Sequence, residues 1–195
     1  LPQFAALVFI LLISAVVSLI AFVYKKESVA HLGLIAAFSA PLMTNFGGND
    51  FGALLLYLFV TTLGVLWLTI ATDWRSLIFT SQVGVFLYSL PYIEMFSYRS
   101  NVELNSFATG MVFAFGVLFF SIATLSLLKN NSKQKTVDVI VAMVNAIYAV
   151  VWIFNQESTT VQSIMLLFVA LLYASGTFFI FRITNDVQTF LLYFV

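Results

Sequence analysis

The chain has 195 residues, 62% of them hydrophobic and only 8% charged, with a formal net charge of zero and a mean hydropathy of +1.07. Soluble domains carry about 25% charged residues, so this composition cannot cover a water-facing surface, and the solvent must be lipid. The balanced charge gives nucleic acid nothing to bind, and the absence of cysteine excludes disulfides, thiolate chemistry and Cys-ligated metal centres.

A bilayer core about 30 Å thick needs about 20 apolar residues in a helix rising about 1.5 Å per residue. Seven runs meet that requirement: 4–24, 28–46, 51–71, 76–96, 106–128, 136–155 and 159–183. An eighth starts near Asp186 and is too short to span. The chain opens at Leu1 without methionine and stops at Val195 inside an apolar run, which points to an excerpt of a longer chain or a processed one. The first run has no basic segment before it and no small-residue cleavage site after it, so it reads as a membrane helix rather than a signal peptide. The runs are continuous rather than alternating, and helices are expected throughout.

The turns after the first, third, fifth and seventh runs hold Lys25, Lys26, Arg75, Lys129, Lys133, Lys135 and Arg182, seven of the eight basic residues. The opposite loops hold only Arg99. This bias predicts that those turns are cytoplasmic and that the N-terminus of this chain lies outside. Joined across the turns, the runs make hairpins 1–46, 51–96, 106–155 and 159–195. A shift of fifty residues puts Lys25 on Arg75, Ser39 on Ser89 and Pro41 on Pro91. The later hairpins match more weakly. The expected fold is a single all-α membrane bundle of parallel helical-hairpin repeats, related by an axis along the membrane normal.

Candidate functional residues fall on three of these runs. The second has small residues at Gly33, Ala36, Ala37 and Ala40, which permit close helix approach. It also holds His31, the one histidine, which reads as an interfacial hydrogen-bonding residue or a pH sensor. Pro41, and Pro91 on the fourth run, each remove a backbone donor, so kinks are expected there, with the serine two residues earlier serving the freed backbone. The fourth run also carries Gln82 and, near its outer end, Glu94, read as an interfacial anchor or as a substrate or proton site. On the sixth run Asn145, Tyr148, Trp152 and Asn155 share one helical face. Asn145 sits near the bilayer midplane, as interhelical glue or as the lining of a polar passage.

The stretch HLGLIAAFSAPLM, the GGND turn and LLLYLFVTTLGVLWLTIATDWRSL together resemble the bacterial family of predicted membrane proteins with domain of unknown function 2339. The features that match are Gly33 to Leu42, Tyr57 and Trp74-Arg75. The resemblance implies a long serial array of membrane helices in the cytoplasmic membrane and brings no activity with it. No nucleophile–base set, phosphate-cradling motif or deep carboxylate pair is present, so neither enzyme activity nor a cofactor or metal is expected. Two functions remain. One is a transporter or flippase-like segment for a small or amphipathic solute, with Asn145, Tyr148, Trp152, Gln82 and Glu94 along its path. The other is a structural scaffold or anchor for an envelope complex. The partners expected are membrane lipids and other membrane helices, including those of a longer chain.

Overall fold

The computed structural model describes residues 3–44, 51–90, 93, 106–129, 135–155 and 159–184. Among them are seven α-helices and no strands: α1 (Gln3–Tyr24), α2 (Glu27–Met43), α3 (Phe51–Thr72), α4 (Ser76–Ser89), α5 (Ser106–Lys129), α6 (Lys135–Phe154) and α7 (Thr159–Thr184). Each lies on one predicted run, and most ends agree to within a residue. The clearest departure is α4, which stops at Ser89 rather than continuing to Phe96. Proline disfavours helical geometry in the residue before it, so a helix approaching Pro91 ends early. Pro91, Glu94 and the run from Asp186 lie outside the described residues.

Among the described residues, three stretches are long and apolar enough to cross a membrane: Phe51–Thr72, Val137–Phe154 and Thr159–Phe179. Val8–Tyr24, Glu27–Met43, Ser76–Ser89 and Gly110–Leu125 are apolar but shorter. The helices bury small residues such as Ala21, Ala30, Ala37 and Ala40 and expose large apolar ones such as Phe9, Leu32, Trp67, Leu171 and Phe178. Large exposed apolar area is unfavourable in water and natural in lipid, where small residues at contacts let backbones approach.

The chain forms two compact units, Leu1–Leu87 with Glu103–Met111, and Tyr88–Val102 with Val112–Val195. In the first, α1 and α2 pack most closely and α3 lies against both. The α1–α2 corner is tight because Lys25 takes a left-handed conformation, φ 53°. The Lys25 N–H then donates to the Phe22 carbonyl at 3.3 Å and the Lys26 N–H to that of Ala21 at 3.0 Å, closing the helix end with a Schellman motif. After α3 the same task falls to Asp73, φ 62°, whose N–H donates to the Thr69 carbonyl at 2.8 Å. The core of this unit joins Ala21, Ala30, Leu34, Val65, Leu68 and Leu77. In the second unit, Phe120 on α5 meets Tyr173 on α7 at 4.6 Å between ring centroids, and Phe115 stacks on Phe119, one turn along the same α5, at 6.2 Å.

Candidate functional site

Pro41 lies inside the last turn of α2. Its missing N–H leaves the carbonyl of Ala37, four residues earlier, without its helical donor. Ser39 was the expected helper, but its hydroxyl donates to the Ala36 carbonyl at 2.8 Å. The donor to Ala37 is instead Tyr57 on α3, whose phenol reaches the carbonyl at 2.9 Å. A gap in one helix is therefore closed by the next.

At the other end of α2, Glu27 and His31 face Ser76 and Thr80 on the first two turns of α4. The Ser76 hydroxyl donates to Glu27 Oε1, and His31 Nε2 lies 2.9 Å from Ser76 Oγ. Thr80 Oγ1 lies 3.4 Å from His31 Nδ1. With the serine proton committed to the carboxylate, the imidazole donates to Ser76 instead of taking its proton, the reverse of a nucleophile–base pair. The cluster is a clamp between the starts of two parallel helices. The sequence reading of His31 had no sight of these partners. Also in this unit, Thr62 and Ser81 pair their hydroxyls at 3.2 Å across α3 and α4, and Gln82 is buried.

In the second unit Asn145 is only 2% exposed. Its Nδ2 donates to the Gly116 carbonyl on α5 at 2.9 Å and to the Tyr173 hydroxyl on α7 at 3.3 Å. Tyr173 in turn donates to the Ala142 carbonyl on α6 at 2.7 Å, so one network ties three helices together. Asn145 Oδ1 has no hydrogen-bond partner among the described residues. One turn on, the Tyr148 hydroxyl pairs with Ser89 at 3.0 Å, and Trp152 sits edge-on to Tyr148 at 6.3 Å. Of the four residues of the predicted face, Asn145, Tyr148 and Trp152 are buried, and Asn155, just past the end of α6, is half-buried. The bonds from this face go to α5 and α7, and to Ser89 in the last turn of α4.

A cavity of about 30 Å³ adjoins this network, lined by Gly116, Asn145, Tyr148, Trp152 and Tyr173 among mainly apolar groups. That volume holds a water or two and no larger solute. Tyr173 and Gly116 carried no signal in the sequence, because a lone tyrosine and a helical glycine are common in membrane helices. Among the described residues, no group of three or more His, Asp or Glu side chains is placed to hold a metal ion.

Against known proteins, a family model described as Predicted membrane protein (DUF2339) matches residues 1–193. No curated protein and no solved structure is significantly similar to the chain.

Proposed function

As a chain that belongs to this predicted-membrane-protein family, it is a membrane protein, and we propose that it serves as a membrane-embedded scaffold whose polar interior locks helices together. The observation that carries this reading is the Asn145 network. Its amide is spent on a backbone carbonyl and a phenol of neighbouring helices, 2.9 and 3.3 Å away. A transport path through the same residues would need continuous polar space, whereas the space beside Asn145 is about 30 Å³ with mainly apolar walls. A scaffold also needs no catalytic group, cofactor or metal.

We further read the first two hairpins as parallel copies. The clamp supports this, because Glu27 meets Ser76 and His31 meets Thr80, both pairs 49 residues apart. At the fifty-residue shift each pair is one position from equivalent, and near-equivalent residues of two copies meet only near the axis that relates them. With the basic turns cytoplasmic, that axis runs along the membrane normal.

The scaffold reading makes Asn145→Leu a mild change. An interhelical hydrogen bond in a membrane is worth about 0.6–2 kcal/mol, and leucine relieves the unmatched Oδ1. The variant is expected to unfold in detergent within a few degrees of wild type. It should also restore any envelope or growth phenotype of cells lacking the gene. Normal folding with full loss of that rescue would overturn the scaffold in favour of a passage.

A further inference from the structure

Between α1, α2 and α3 of the first unit lies a cleft of about 260 Å³. Its volume exists because the walls are small: Ala15 and Ser18 on α1, Ala30 and Gly33 on α2, Gly64 on α3. A Cβ added at Gly64 would meet no heavy atom within 4 Å. Two of the three hydroxyls in the wall are engaged within their own helices, that of Ser14 donating to the Ile10 carbonyl at 2.9 Å and that of Thr61 to the Tyr57 carbonyl at 3.0 Å. Such walls give water few partners, so the cleft favours hydrocarbon.

Its position specifies the hydrocarbon. The cleft starts one turn inside the two corners, at Ala30 and Leu68, and reaches Leu11 and Val60. That is about 12 Å of helix rise, close to the ~15 Å hydrocarbon depth of a single leaflet. In the α1–α2 corner, about one turn from Ala30 at the end of the cleft, Lys25 and Lys26 are exposed, with no ion-pair partner among the described residues. The nearby carboxylates are engaged: Glu27 accepts from Ser76, and Asp73 lies 3.9 Å from Arg75. Unpaired lysines at the membrane surface attract anionic lipid.

We propose that this cleft holds one acyl chain of an anionic phospholipid, its headgroup phosphate against Lys25 and Lys26. The site is independent of the scaffold reading, since lipid retention reports nothing on Asn145. The test is to reconstitute the purified protein in an equimolar mixture of phosphatidylglycerol and phosphatidylcholine. It is then re-extracted in mild detergent and weighed by native mass spectrometry. Wild type should keep a single phospholipid, enriched in phosphatidylglycerol. Gly64→Leu fills the cleft and should lose that lipid while unfolding at the wild-type temperature. Ser18→Leu serves the same purpose should Gly64→Leu unfold early, and Gly110→Leu, away from the cleft, should keep the lipid. The double variant Lys25→Gln, Lys26→Gln should keep a lipid and lose the preference for phosphatidylglycerol. A bare wild-type protein, lipid retained by both cleft-filling variants, or a lipid-free dimer would each overturn the proposal.

Discussion

Alanine at Gly176 or Gly84 is expected to lower the unfolding temperature, whereas alanine at Gly64 or Gly110 should leave it unchanged or raise it. A Cβ at Gly176 would sit 2.3 Å from Phe120 Cζ, and one at Gly84 would sit 2.8–2.9 Å from three atoms of the Phe38 ring. Neither ring is free to swing away. Phe120 is buried against Tyr173, and Phe38 packs on the core of the first unit. Overpacking of this kind costs about 1–3 kcal/mol and outweighs the ~0.8–1 kcal/mol that alanine gains in helix propensity. At Gly64 and Gly110 nothing lies within 4 Å, so only the gain remains. Thermal unfolding of the four variants in one detergent checks the contrast. Equal shifts for all four would mean that these helices do not meet at the glycines.

The second large effect concerns the broken bond in α2. Tyr57→Phe removes the donor to the Ala37 carbonyl while keeping the ring, and leaves an acceptor that Pro41 cannot serve. An unsatisfied buried acceptor costs about 1–3 kcal/mol. In a Pro41→Ala background, residue 41 regains an N–H and the helix closes its own gap. Tyr57→Phe should then cost far less. A double-mutant cycle measures the difference directly. Additive losses would show that the phenol and the proline act independently.

The helices were legible in the sequence because hydropathy alone sets them, and the seven runs carry little else. Where a backbone rule intervened, the reading was weaker. α4 ends at Ser89, two residues before Pro91 in the sequence, and Pro41 exposed the correct carbonyl, but Ser39 reaches only Ala36 and the work passed to Tyr57, sixteen residues beyond the proline. Periodicity put Asn145, Tyr148 and Trp152 on one buried face, yet it says nothing of which helix lies opposite. An amide accepts any donor or acceptor in reach, so Gly116 and Tyr173 could be found only in space. The fifty-residue match was a local register. α1 and α3, 22 residues each, begin 48 residues apart at Gln3 and Phe51, and α2 and α4 begin 49 apart at Glu27 and Ser76. The corner after α3 has three residues, Asp73, Trp74 and Arg75, against two, Lys25 and Lys26, after α1.

The central claim is that the polar interior around Asn145 is closed glue rather than a wetted path. The chain has no cysteine, so Asn145→Cys introduces a single thiol at the buried position. The variant is treated in unsealed membranes, open to the reagent from both faces, with a charged, water-soluble thiosulfonate, and modification is read by mass shift, with Lys26→Cys as the exposed control. The account predicts complete labelling at position 26 and none at position 145 until the protein is unfolded. Labelling of Cys at 145 in the folded protein, at a rate approaching the control, would mean that water reaches the network and would contradict it.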